Sequence, residues 1–236
     1  MTKVQKISKN ITPFAGIYFV NDEFNQSGLS KLIDNQLGIR ASTKGYTYSN
    51  LFRNFFNLFL CGGECAEDIH KHFRPTLEQI PGNKVASPDT QLRIFNELAT
   101  ENTTVVSTSD KEYQFNINEK LNDLNIRSLL LTKQLEKANS YDFDYDNQII
   151  EHEKYDAKKT YKMNTGYFPG VATIGDKIVY VENRDGNANV KTGQEETLER
   201  CYITLNNNKL YVNRSRMDAS SYSEKIIKVV DKYSIE

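Results

Sequence analysis

Residues 141–146 read Tyr141-Asp142-Phe143-Asp144-Tyr145-Asp146, a strict alternation of aromatic and acidic side chains. In an extended strand, successive side chains point to opposite faces. Tyr141, Phe143 and Tyr145 therefore share one face, suited to a core, while Asp142, Asp144 and Asp146 share the other. Carboxylates two positions apart on one face lie roughly 6–7 Å from each other and repel when ionised. Water relieves that repulsion on an exposed strand face. A divalent cation relieves it too, and Mg2+ takes one or two carboxylates while keeping several waters. The segment by itself leaves both readings open.

Downstream the two-residue period returns. Gly166 to Ile174 and Lys177 to Asn183 read as two further strands, joined by a tight turn at Gly175 and Asp176. Thr192 and Glu195 make a predicted capping box for a helix whose buried face is Leu198, Cys201, Tyr202 and Leu205. Lys209 to Asn213 reads as a fourth strand. Ser221 with Glu224 reads as a second capping box, ahead of Ile226, Ile227, Val229, Val230 and Tyr233. The order is strand, strand, strand, helix, strand, helix. Three meandering strands, then a helix crossing over to a strand parallel to the first, form an α/β arrangement, and this is also the opening half of an RNase H-like fold. Asp218 lies just past the fourth strand. Reacting groups in open α/β sheets gather beyond the carboxyl ends of strands, so Asp218 and Asp144 converge if their strands are neighbours. Two such aspartates suit a pair of Mg2+ ions about 3.5–4 Å apart, a geometry for in-line phosphoryl transfer. The other role open to Asp218 is capping the helix that follows.

Upstream the period is helical. Leu51, Phe52, Phe55, Phe56, Phe59 and Leu60 recur at spacings of three and four, which predicts one apolar helix face, ended by Gly62 and Gly63. Ser87 is a predicted cap with Pro88 at the first helical position, and Leu92, Phe95 and Leu98 form the expected buried stripe. Thr100 to Asp110 is almost entirely polar and reads as a linker. Leu121, Leu124 and the run Leu129 to Leu131 suggest one more helix. The expected organisation is an all-helical region over residues 1–135, followed by an incomplete RNase H-like domain over 136–236.

The chain has 236 residues, 38% hydrophobic and 26% charged, with a formal net charge of −1, so it can form a core and is not disordered by composition. Its first sixty residues are mildly cationic: Lys3, Lys6, Lys9, Lys31, Arg40, Lys44 and Arg53 stand against Asp22, Glu23 and Asp34. Such an end can lie on a phosphate backbone, which makes Lys31, Arg40, Lys44 and Arg53 candidate DNA contacts; an ordinary solvated surface is the other reading. Lys158 and Lys159, with Tyr155 and Tyr161 nearby, are a second candidate DNA contact. Met1 is followed by polar residues, and no apolar run is long enough to span a bilayer. Three cysteines suit a reducing compartment, so a cytoplasmic, nucleoid-associated protein with no membrane partner is expected. Cys61, Cys65, His70 and His72 lack a Cys-x-x-Cys pair and are set aside as a zinc site.

Three blocks carry a family resemblance. Cys61-Gly62-Gly63-Glu64-Cys65-Ala66-Glu67-Asp68-Ile69 resembles a Gly-Gly-Glu block followed by an aspartate. Ser87-Pro88-Asp89-Thr90 resembles a Pro-Ser-x-x-Thr stretch. Asp142-Phe143-Asp144, and Arg216-Met217-Asp218 with Tyr222 after it, resemble the blocks that hold two catalytic aspartates. In order and spacing these resemble the DDE transposases of bacterial insertion sequences, of the thirteen-eighty group and its Bacteroides-type members, from about residue 25 onward. The resemblance implies Asp144 as the first catalytic aspartate, with Asp142 the lesser choice, and Asp218 as the second. It also implies Mg2+, or Mn2+ in its place, as cofactor. The implied partners are terminal inverted-repeat DNA and a second copy or a full-length transposase. Asp146 stands where many relatives have Ser or Thr, and Ala219-Ser220-Ser221 where a glycine is common. The family's third acidic residue, a glutamate on a later helix, has no counterpart in the 18 residues after Asp218 (236 minus 218). The expectation is therefore a truncated transposase, unable alone to complete strand cleavage and transfer, or a non-catalytic DNA-binding remnant that inhibits transposition.

Overall fold

Residues 2–4, 12–40 and 45–235 are described by the computed structural model, and the chain divides into two units, Met1–Ala99 and Thr100–Glu236. The first unit is helical: α1 (Ile17–Gln26), α2 (Leu29–Leu37), α3 (Tyr48–Leu60), the short α4 (Ala66–Asp68), a π-helical turn (Ile69–Phe73), α5 (Arg74–Leu77) and α6 (Pro88–Leu98). Ser87 caps α6 by accepting from the Thr90 N–H, with Pro88 in the first turn. Gly62, at φ 77°, follows the end of α3. Both features agree with the sequence reading.

The buried faces of α3 and α6 do not. Phe56, Phe59 and Leu60 are exposed, as are Leu92 and Phe95, whereas Leu51, Asn54, Asn57, Leu58, Gln91 and Ile94 point inward. Buried amides set this phase. Asn21 and Asn57 exchange hydrogen bonds of 2.8 and 3.3 Å, and the Gln91 amide donates to the Leu51 carbonyl at 2.6 Å. Counting apolar residues assigns asparagine and glutamine to solvent, but here they satisfy one another inside, as buried polar groups must.

The second unit begins with a hairpin, β1 (Asn102–Val106) and β2 (Glu112–Asn116), in the stretch whose polarity suggested a linker. Then come α7 (Glu119–Leu131), β3 (Ser140–Asn147), β4 (Ile150–Glu151), β5 (Lys158–Lys159), β6 (Thr165–Tyr167), β7 (Gly170–Ile174) and β8 (Lys177–Arg184). The unit closes with α8 (Gln194–Asn207), β9 (Tyr211–Met217), a 3-10 turn (Ala219–Ser221) and α9 (Glu224–Tyr233). The boundary between units thus falls near residue 100 and not at 135. The hairpin pairs with β8 through Phe115 and Asn116, and Ile126 of α7 is buried in the same core as the sheet.

The main sheet is mixed, with order β1-β2-β8-β7-β3-β9, and a second sheet has order β4-β6-β5. All pairs in the main sheet are antiparallel except β3 with β9, so the carboxyl ends of β3, β8 and β9 lie at one end of it. One face is covered: Phe143 and Tyr145 join Ala172, Val179, Leu198, Cys201, Tyr202 and Ile226 in the core. Phe143 meets the Tyr202 ring at 5.1 Å, and Tyr202 stacks on Tyr233 at 5.3 Å. The Tyr145 hydroxyl lies so close to Gly170 that a Cβ there would come within 2.0 Å of it. Two expected caps are displaced. Gly193, at φ 62°, precedes α8 without a side-chain cap, and Ser223, not Ser221, caps α9 through the Ile226 N–H. Among the described residues no helix is long and apolar enough to cross a membrane.

A charged cluster is buried beneath this sheet. Glu182 is fully buried and Arg184 is 1% exposed. Arg184 donates to the carbonyls of Val190 and Thr192 at 3.2 Å and to the Thr197 hydroxyl at 2.7 Å, and its guanidinium lies 4.6 Å from the Phe115 ring centre. Glu182 accepts from Thr197 at 2.6 Å and from Arg200 at 2.7 Å. Removing one partner leaves an uncompensated buried charge, at a cost of about 3–5 kcal/mol. Arg184→Met is expected to lower stability by about that amount, read as a shift in the urea midpoint by near-UV tyrosine circular dichroism. A variant as stable as the wild type would show that the cluster does not hold the fold.

Candidate acidic site at the carboxyl ends of the strands

In β3 the aromatic residues face the core, so the carboxylates of Asp142, Asp144 and Asp146 emerge on the opposite, open face, as alternation requires. Beside them runs β9. Its register with β3 is Ser140 with Tyr211, Tyr141 with Val212, then Asp142 with Arg214, Phe143 with Ser215, Asp144 with Arg216 and Tyr145 with Met217. Asn213 is the extra residue of a bulge in this ladder. Val212 is buried on the core side, and without the bulge Arg214 and Arg216 would point the same way. A bulge of one residue reverses the parity and brings both arginines onto the acidic face.

The result is a cross-strand charge ladder. Arg216 grips Asp144 through two hydrogen bonds of 2.7 Å, one to each carboxylate oxygen, and Arg214 lies 3.8 Å from Asp142. The hydrogen bonds that Arg216 donates to the Asp144 carboxylate raise the pKa of Arg216 above its ordinary value. These arginines are the functional neighbours that sequence reasoning missed. The alternation Arg214-Ser215-Arg216 was visible, but the strand was expected to end at Asn213, whereas β9 runs on to Met217.

Asp218 therefore stands directly at the end of β9, one residue past the last pair, and alternation puts it on the side of Arg214 and Arg216. Relative to Asp144 it is one strand across and two residues along, which sets the two Cα atoms roughly 8 Å apart. Its carboxylate accepts from the Ser220 hydroxyl at 2.5 Å and the Ser221 hydroxyl at 3.3 Å. Asp144, three residues before the end of β3, and Asp218, one residue past the end of β9, thus lie on adjacent parallel strands, and both reach solvent. Their donor chemistry fits an Mg2+ ion that keeps most of its waters. It does not form a closed protein cage: among the described residues no group of three or more His, Cys, Asp or Glu side chains is arranged to hold a metal.

The basic candidates separate into three sets. Arg40 and Arg53 are buried and serve the helical unit itself. Arg40 binds Glu97, with Nε to Oε2 at 2.7 Å, and the Tyr46 carbonyl at 3.1 Å. Arg53 donates to Asn25 and lies 4.9 Å from the Phe24 ring centre, and burial pulls its pKa below the ordinary value. Charge alone marked them for DNA; their aromatic and carboxylate neighbours take them inward instead. Lys44 lies outside the described residues. Lys31 on α2 and Lys158 and Lys159 on β5 are exposed. Comparison with known proteins gives no match to a family model, a curated protein or a solved structure.

Because Arg216 competes with any cation for Asp144, Arg216→Gln is expected to tighten Mg2+ binding roughly threefold to tenfold, measured by isothermal titration calorimetry at low salt. Unchanged or weaker binding would mean that Asp144 is not a metal ligand.

Proposed function

We propose that this chain is a DNA-end-binding and catalytic module of a DDE-type transposase, its second unit RNase H-like. The observation that carries the reading is the single parallel pair of the main sheet, β3 with β9, which sets Asp218 one strand across and two residues along from Asp144. Support comes also from the order β8-β7-β3-β9, with α8 as the crossover, which is the opening order of such a domain. Asp144 and Asp218, with Asp142 beside them, would hold Mg2+ or Mn2+. A divalent ion held there would supply charge neutralisation for a phosphodiester and an acidified water. The chain's own contribution is positional: Arg214 and Arg216 orient the carboxylates and offer guanidinium groups suited to DNA phosphate. The expected DNA is the element's terminal inverted repeat, with Lys31 on the helical unit as an exposed contact.

One observation favours a second reading, a non-catalytic DNA-binding remnant that inhibits transposition alone or by pairing with a full-length transposase. Asp144 is already neutralised by Arg216, Asp218 is satisfied by two serine hydroxyls, and among the described residues no three His, Cys, Asp or Glu side chains are arranged to hold a metal.

Fluorescence anisotropy with duplexes carrying the inverted repeats that flank the reading frame tests both. Binding to the repeat is expected to exceed binding to a shuffled duplex by roughly a thousandfold. Equal affinities would remove the transposase reading. Mg2+-dependent cutting of the repeat by the purified chain would decide for the catalytic reading over the inhibitory remnant.

A further inference from the structure

Between β3 and β7 the chain leaves the main sheet and builds the small sheet β4-β6-β5. It departs at the carboxyl end of β3, the end that carries Asp218. Three large side chains on it have no core to enter: Tyr155 is 100% exposed, and Tyr161 and Met163 are each 69% exposed. Lys154, Lys158, Lys159 and Lys162 are exposed around them. Of the three nearby acids, Asp156 accepts from the Tyr167 hydroxyl at 2.7 Å and Glu151 from the Asn164 amide at 2.5 Å. Glu153 is the third.

This small sheet is firmly seated. Tyr167 bridges to Asp185, just past the end of β8. A Cβ on Gly166 would come within 2.2 Å of the Ile150 carbonyl, and one on Gly186 within 2.3 Å of the Gly166 carbonyl and 2.7 Å of the Lys158 carbonyl. Tyr155 and Tyr161 stand in the turns that join these closely packed strands. Tyr161 also packs edge-on to Phe168 at 5.7 Å.

We infer that this small sheet is a docking surface for unpaired DNA, with Tyr155 and Tyr161 stacking on bases while Lys158 and Lys159 meet the phosphates. The chemistry selects that partner. Exposed aromatic rings interleaved with lysines match a chain that alternates flat bases with anionic phosphates, and stacking tolerates any base. A duplex hides its base faces and would use only the lysines. An acidic protein would supply the anions but no ladder of flat rings. The inference rests on the transposase reading for its biological setting, since a strand opened at the acidic site would emerge beside this sheet. The surface itself is defined without that reading.

The test uses the full chain and fluorescein-labelled oligothymidine of about 16 nucleotides, followed by anisotropy beside a blunt duplex of equal length. The paired substitution Tyr155→Ala with Tyr161→Ala is expected to weaken oligothymidine binding at least tenfold, from roughly 5- to 150-fold per stacked base. Duplex affinity should change less than about twofold, because phosphate contacts remain. Tyr155→Phe with Tyr161→Phe, which keeps the rings, should bind oligothymidine like the wild type. Lys158→Gln with Lys159→Gln should weaken both ligands and flatten the salt dependence. Oligothymidine binding that survives loss of both rings would overturn the inference, as would equal losses for the single strand and the duplex. Binding of an acidic peptide in place of oligothymidine would overturn it as well. A chain that binds oligothymidine through the rings but ignores the inverted repeat would sink the transposase reading and leave this surface standing.

Discussion

The second unit depends on one backbone arrangement, the parallel pairing of β3 with β9. Parallel neighbours cannot be joined by a tight turn and need a crossover, here supplied by α8, whose Leu198, Cys201, Tyr202 and Leu205 are buried against the sheet. The same pairing turns two distant acidic residues into neighbours, because it aligns the carboxyl ends of both strands. The bulge at Asn213 completes the arrangement. Before it, β9 turns Val212 inward to the core; after it, the strand turns Arg214 and Arg216 outward to the carboxylates of β3.

The buried Glu182–Arg184–Arg200 cluster explains how the crossover is held. Arg184 sits at the end of β8 and ties down the carbonyls of Val190 and Thr192, in the loop that leads into α8. Through Thr197 and Arg200 the cluster reaches the first turns of α8 itself. Strand end, loop and helix are therefore tied together by buried hydrogen bonds. Close backbone contacts at Gly166 and Gly186 seat the small sheet against the turn that follows β8. On the proposed function, a site that binds a polyanion near carboxylates would gain from such preorganisation.

Much of this was legible in the sequence. Alternation in residues 141–146 identifies β3 and its two faces, and the turn at Gly175 and Asp176, the cap at Ser87 and the stop at Gly62 follow from local chemistry. What escaped has physical causes. Strand β1 is exposed along most of its length, so it carries the polarity of a linker, while its partner β2 buries Tyr113 and Phe115. The end of β9 was misjudged because Arg214 and Arg216 are polar; they belong in the strand because Asp142 and Asp144 lie opposite. The faces of α3 and α6 were assigned to their aromatic residues because buried amides are invisible to hydrophobic counting. Arg40 and Arg53 were assigned to DNA because charge does not reveal a nearby Glu97 or Phe24. Which residues pair across the sheet, and on which side of a bulge, is tertiary information that local patterns do not hold.

If Asp144 and Asp218 share a divalent ion, their contributions to binding cannot be independent. Titrating Mn2+ into the wild type, Asp144→Asn, Asp218→Asn and the double variant, with free ion read by electron paramagnetic resonance, tests this directly. The account predicts that either single substitution removes most of the affinity and that the second removes little more. Binding as tight in the double variant as in the wild type, or losses that simply add as for separate sites, would contradict it.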